Sequence, residues 1–358
     1  MTVEFVGMVQ TRLLSEIIPP QGPPLDARFV RDFAQAHEQG GFDRVLVGYY
    51  SNQPDGFLVA QHVAASTERL GVLLAHRPGF VAPTLAVRKL STLDLISEGR
   101  LALHVISGGS DLDQRRDGDW LDHDQRYRRT DEYLDVLRRL WTAEAPLDHA
   151  GEFYRFQGAS PEVRPFQKPH PPIFFGGASD AAVEVGAKHA DVYMLWGEPL
   201  SDVRWRMERV REAAARHGRS PRFSISVRPI LGATEEQAWE RAHQILETIR
   251  RLRGPAPPPT PQAVGSQRLL EAASRGDIHD KRLWTPIAAA TGAQGNTTAL
   301  VGTAEQVAEA LLDYYDLGIT ILLIRGFDPL NDAIEYGREL LPLVRAEAAR
   351  RQPALAGA

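Results

Sequence analysis

Short, nearly unbroken apolar runs alternate with longer segments that are apolar at every third or fourth position along most of the chain. The short runs read as buried strands and the longer ones as amphipathic helices, because side-chain directions repeat differently in the two. Val3–Val9 opens the series, and Arg44–Gly48, Leu70–Ala75, Leu101–Ser107, Ile173–Phe175, Val192–Leu195, Phe223–Leu231 and Ile319–Ile324 follow. Helices are predicted over 28–40, 56–67, 84–96, 131–141, 179–189, 203–217, 235–250, 304–317 and 329–349. Strands separated by helices in this way form a parallel sheet with the helices outside. Eight units without a break in composition predict one α/β domain over 1–358, a closed (β/α)8 TIM barrel, rather than an open sheet with a second domain.

Two stretches interrupt the alternation, an extension over 108–170 and an insertion over about 253–298. The insertion carries RGPAPPPTPQ and later TGAQGNTT. Its prolines at 255, 257, 258, 259 and 261 forbid helix and central strand. A segment of that length is expected to be a mobile lid or disordered. The extension is entered through Ile106-Ser107-Gly108-Gly109 and then becomes densely charged, with Asp111, Asp113, Arg115, Arg116, Asp117, Asp119, Asp122 and Asp124.

Composition changes this picture little. The 358 residues are 43% hydrophobic, ordinary for a globular chain, and the formal net charge is −5. That charge argues against a general nucleic-acid binder. The absence of cysteine excludes disulfides, thiolate catalysis and Cys-ligated zinc. The start lacks the pattern of a signal peptide and no run is long enough to span a bilayer, so a soluble cytoplasmic protein without membrane contact is expected.

Barrel sites lie at the C-terminal ends of the strands. After the second strand come Tyr49 and Tyr50, and after the third His76 and Arg77. The fourth carries His104, the fifth ends in Gly176-Gly177-Ala178-Ser179, and the sixth ends in Trp196-Gly197-Glu198. The seventh carries Arg228 and the eighth ends in Arg325-Gly326-Phe327-Asp328. A glycine turn with a serine at a helix start can cradle phosphate, since the first backbone N–H groups and the helix dipole face the anion. It reads equally as a turn with a serine cap. Arg77, Arg228 and Arg325 would form an anion pocket if they converge, and each could instead pair with an acid. His104 reads either as a packed core residue or as part of a site. The aspartates of 111–124 lack the spacing of a calcium loop, and no metal site is expected.

RPGFVAPTLAVRKLSTLDLISEGRLALHVISGG, DGDWLDHDQRYRRTDEYLDVLRRLW, PPIFFGGASDAAVEVGAKHADVYMLWGEP and TALVGTAEQVAEALLDYYDLGI carry a resemblance over nearly the whole chain. The chain is similar to the flavin-dependent monooxygenases related to bacterial luciferase, most closely the alkanesulfonate monooxygenase group. The resemblance implies a luciferase-like barrel that binds reduced FMN at the strand C-termini. The FMN would be supplied by a separate NAD(P)H-dependent FMN reductase, a transient partner in a two-component system. With O2, one oxygen atom would enter an organosulfonate, an alkyl or sugar sulfonate, releasing sulfite and an aldehyde. A homodimer or homotetramer is also implied.

Carried over residue by residue, the resemblance places Ser179, with the Gly177 and Ala178 backbone, at the FMN phosphate. It puts Arg126 and Tyr127 at the phosphate and ribityl chain. It puts Tyr49, Tyr50 and His104 near the flavin ring, His104 where relatives have asparagine. From their positions at strand ends rather than from the resemblance, Arg77, Trp196, Arg228 and Arg325 are expected as substrate contacts, with Arg228, Arg325 and His104 the catalytic candidates. Departures bear on the substrate. Gln53 replaces a cysteine, Ser226 an arginine, Arg228 a histidine, Phe327-Asp328-Pro329 a Tyr-Pro-His stretch, and Thr291 a lid arginine. Alternatives are a related monooxygenase acting on a sulfone or other organic substrate, a deazaflavin (F420)-dependent oxidoreductase, and a flavin-binding protein without catalysis. A glycoside-cleaving barrel is disfavoured, since only Glu198 and Asp328 stand as acids at strand ends.

Overall fold

Each apolar run lies beside the next one in sequence, as parallel strands joined by helical crossovers do. The computed structural model describes residues 2–258 and 260–355, so Pro259 of the proline run lies outside the described residues. The barrel strands are β1 (Glu4–Val9), β2 (Arg44–Val47), β3 (Gly71–His76), β4 (Leu101–Val105), β5 (Ile173–Gly176), β6 (Val192–Trp196), β7 (Arg222–Leu231) and β8 (Ile319–Ile324). All neighbouring pairs are parallel, and β8 pairs with both β7 and β1, which closes the ring. The expected (β/α)8 barrel is therefore the observed one.

Alternation along the strands builds two apolar layers. Val6, Leu73, Ala102, Phe174, Val192, Ile321 and Leu323 form one cluster. Their sequence neighbours Phe5, Leu74, Leu103, Phe175 and Leu322 belong to a second, larger cluster that includes the flanking helices. A strand buried on both faces has no polar position to give, which is why these runs are nearly unbroken in sequence.

Strand β7 is long and forks. Phe223–Val227 pair with β8, whereas Arg228–Leu231 pair instead with the parallel strand Ala299–Gly302. An antiparallel ladder of Ile278–His279 and Leu283–Trp284 extends that outer sheet. The insertion is folded where the prolines suggested none: helices occupy Val264–Arg275 and Pro286–Thr291. Pro255, Pro257, Pro258 and Pro261 sit in the connection after the helix Glu235–Arg253, and Pro286 serves at a helix N-terminus, where its missing N–H costs nothing. Trp284, Ile287 and Val301 share a small core with Ile245, Ile249 and Phe327.

The charged extension is also more ordered than expected. Asp111–Arg116 is a short helix, and the helix predicted at 131–141 runs over His123–Thr142. Asp122 and Gln125 form a reciprocal capping box at its start. Residues 123–129 are too polar to show an apolar stripe, so the pattern alone starts the helix late. Among the described residues no helix is long and apolar enough to cross a membrane.

Candidate functional site

The turn after β5 is the most tightly specified strand end. Ser179 caps the helix Asp180–His189, its hydroxyl accepting from the Ala182 N–H at 3.2 Å. Tyr193 and Arg206 both donate to the Gly177 carbonyl, at 2.9 and 3.0 Å, which fixes the peptide. A Cβ on Gly177 would lie 2.4 Å from the Ala182 Cβ and 3.2 Å from the Tyr127 hydroxyl, so only glycine fits. The Tyr127 phenol faces Ser179; burial raises the phenol pKa and the serine contact opposes the rise. Tyr127, far away in sequence, thus meets the Gly177-Ala178-Ser179 turn at one helix N-terminus.

Arg126 and Tyr127 lie in the first turn of His123–Thr142, not in a loop. Arg126 is 3% exposed; it donates to the Leu121 carbonyl at 2.7 Å and pairs with Asp111 at 2.9 Å. Its Nε is buried without a partner. The Asp111 backbone N–H in turn donates to the side-chain oxygen of Gln262 in the insertion at 3.0 Å.

His104 stands on β4 against the same turn, its Nε2 3.3 Å from where a Gly176 Cβ would be. Its Nδ1 is buried and unpartnered, and burial lowers its pKa to about 4. The ring is therefore neutral near pH 7, with one nitrogen available. His37 and His76 are also lowered to about 4, chiefly by burial. In all three the unfolded chain takes up protons, from about pH 6.5 down, that the folded chain refuses until about pH 4. Stability is therefore expected to fall as pH falls across that window. Thermal melts between pH 4 and 8 check this; a flat midpoint from 6.5 to 4.5 contradicts it.

Tyr49 stacks on Phe80 and lies under Arg77, whose guanidinium carbon is 4.5 Å from the tyrosine ring centroid. The Tyr49 hydroxyl donates to Asp117 at 3.0 Å, and burial, with that carboxylate, raises its pKa to about 12. Arg77 pairs with Asp113 at 2.6 Å. Tyr50 is exposed beside them. These pairs explain the charged extension. Asp111 meets Arg126, Asp113 meets Arg77 and Ser51, Asp119 meets Arg129, and Asp122 caps a helix. The aspartates are clamps that fold the extension over the strand ends. Among the described residues no three metal-ligating side chains gather. Gly108, at φ 90°, is needed because Gln114 fills the space of a Cβ and donates to the Ser107 carbonyl at 2.8 Å.

The three arginines do not converge. Arg77 follows β3, across the ring from β7 and β8, and has separate partners. Arg228 and Arg325 share Glu16, an acid that no local sequence pattern singles out. Arg228 is 1% exposed, donates to Glu16 at 2.6 Å and to the Gly326 carbonyl at 2.6 Å, and lies 3.6 Å from the Phe327 ring centroid. Arg325 reaches Glu16 and the Asn296 carbonyl only at 3.4 Å. Burial would raise the Glu16 pKa, but Arg228 and Arg325 outweigh it and hold the carboxyl at about 2. The trio is one carboxylate against two guanidiniums, leaving one net positive charge.

Trp196 does not face an open cleft. A Cβ on Gly265 would lie 3.0 Å from its ring, and it packs with Leu269, Ala288 and Ala293 of the insertion. Arg268 clamps the same helix to Glu198 at 2.9 Å. Asn296 bonds the Ser226 carbonyl, and Thr298 donates to the Gly197 carbonyl at 2.7 Å. The insertion is thus fastened at the ends of β6 and β7. The substituted position Thr291 is buried.

The residues present fit a phosphorylated flavin: a glycine turn at a helix N-terminus, a buried arginine nitrogen and a buried imidazole nitrogen, both without partners. The comparisons agree in kind. The luciferase-like monooxygenase family model matches residues 3–320. Among solved structures, a riboflavin lyase crystallised with modified FMN and riboflavin superposes with a TM-score of 0.80 at 20% identity, covering 97% of this chain and 92% of the other. The EDTA monooxygenase of Chelativorans sp. BNC1 gives 0.76 at 17%, covering 97% and 94%. DmoA of Hyphomicrobium sulfonivorans gives 0.76 at 20%, covering 97% and 89%.

Proposed function

Because the chain belongs to the luciferase-like monooxygenase family, we propose that it is the oxygenating half of a two-component system, receiving reduced FMN from a separate NAD(P)H-dependent reductase. The observation that carries the cofactor is the meeting of Gly177, Ser179 and Tyr127 at a helix N-terminus, with Arg126 next in sequence to Tyr127. In this reading the Gly177–Ser179 backbone and Arg126 hold the phosphate. Tyr49, Tyr50 and His104 flank the ring. Bound reduced FMN supplies the electrons that activate O2. The fastened insertion keeps water from that oxidant, and neutral His104 presents a nitrogen without adding charge.

The substrate we propose is a small organosulfonate whose single negative charge meets the net positive charge of the Glu16–Arg228–Arg325 trio through Arg325. One oxygen of O2 would enter the carbon bonded to sulfur, with sulfite leaving and an aldehyde remaining; the other would become water. The commitment of Arg228 to Glu16 supports a second reading, a sulfone or other organic substrate without a sulfonate. The test is oxygen uptake and sulfite release across alkyl and sugar sulfonates and sulfones, with FMN and any flavin reductase. Sulfite from a sulfonate supports the first reading. Uptake coupled only to uncharged substrates supports the second, and tight FMN binding with no substrate-dependent uptake overturns both.

A further inference from the structure

Sharing no lining residue with the turn around Ser179, a cavity of about 560 Å3 lies between the helix Glu235–Arg253 and the segment 284–290. That volume suits a drug-sized ligand. His243, Leu246, Arg250 and Arg253 recur at helical spacing, so one face of the helix forms one wall. Trp284 and Ala289 stand on the other. The two walls differ in chemistry. The first carries two guanidiniums and an imidazole, and the single carboxylate at the rim is Asp277. The Arg250 guanidinium has no hydrogen bond or ion pair among the described residues, and that of Arg253 has one long bond, 3.4 Å to the Thr291 carbonyl. Basic residues in the last turn of a helix suit its dipole, which accounts for their presence. It does not account for a groove at their side with an aromatic cluster, where the His243 ring lies 5.7 Å from Trp284 and 6.0 Å from Trp239.

We propose that this groove binds a small amphiphilic anion, an aromatic or acyl body carrying a phosphate or carboxylate. The body would lie on Trp284 and Leu246, and the anion would take the free donors of Arg250 and Arg253. Guanidiniums bind such groups through paired N–H donors. The site is separate from the flavin turn and independent of the reaction assigned to the barrel mouth.

Phenyl phosphate is the probe, titrated by calorimetry into the full chain and three variants. Binding is expected at one site, weakened about tenfold or more in Arg250→Ala/Arg253→Ala, where two charged hydrogen bonds are lost. Ala289→Trp, which fills the groove from an exposed position, should abolish it. Arg126→Met, at the flavin turn, should leave it unchanged, and FMN affinity should be unaltered in both groove variants. Loss with Arg126→Met alone assigns the probe to the flavin turn and overturns the proposal. So does binding indifferent to the groove variants, or no binding at all. An oligomer that dissociates on Ala289→Trp overturns it too, because the groove would then be a contact between copies.

Discussion

Arg228→Met is expected to destabilise the fold by about 3 kcal/mol, the low end of the cost of breaking a buried pair, because the Glu16 left behind is partly buried. Its melting midpoint should fall by roughly 10 °C. The reason is Glu16. Its carboxylate is held at about pKa 2 largely by Arg228, and without that partner it keeps only Arg325 at 3.4 Å. Removing Arg228 also orphans the Gly326 carbonyl and a guanidinium–aromatic contact with Phe327. The double variant Glu16→Leu/Arg228→Met should recover most of the loss, since apolar replacement of a buried ion pair is often neutral. The sign with pH is fixed: Glu16 is depressed in the folded state, so its contribution is complete above about pH 4.5 and disappears as pH falls toward 2. A role confined to substrate binding predicts something different, an intact melting midpoint with a raised KM for sulfonates. Equal midpoints for wild type and Arg228→Met would remove the structural reading of this residue.

The contrast between Arg228 and the barrel itself shows what a sequence carries. Ile319–Ile324 and Gly71–His76 are apolar at nearly every position, because both faces are buried, and such runs need no partner to be recognised. The turn around Ser179 is legible for a similar reason: glycine, serine and a helix start are local requirements. Pairings across the fold are different. Glu16 lies 212 residues from Arg228, and the strand-end survey has no candidate after β1. Nothing local marks one acid among 46 as its partner. Arg77 is legible at its strand end, but its partner Asp113 lies on another element, so the sequence leaves open whether it is paired. Two features had signals that pattern reading undervalued. D-x-x-Q at 122–125 marks the true start of the long helix. Thr285-Pro286 and the good helix formers after it mark a folded insertion despite the prolines before it.

Arg126→Met should weaken FMN binding about 100-fold while leaving riboflavin binding unchanged. Two charged hydrogen bonds to a phosphate are worth about that much together, and riboflavin has no phosphate to lose them. The arginine is placed for this role by its sequence neighbour Tyr127, which meets Ser179 at the helix N-terminus. Its present partners are the Leu121 carbonyl and Asp111, and its Nε has none. The substitution differs from Arg228→Met in what it leaves behind. The Asp111 side chain is 39% exposed and can be hydrated when its partner goes, so the midpoint should shift little. Phosphate binding by Arg126 also requires the guanidinium to loosen from Asp111, whose backbone N–H is tied to Gln262. Asp111→Asn should therefore tighten FMN by a few-fold, with riboflavin again unmoved. Parallel titrations of the two flavins by fluorescence quenching read both effects. If FMN and riboflavin weaken together in Arg126→Met, the residue supports the pocket wall rather than the phosphate. If neither changes, the flavin does not lie at the turn around Ser179.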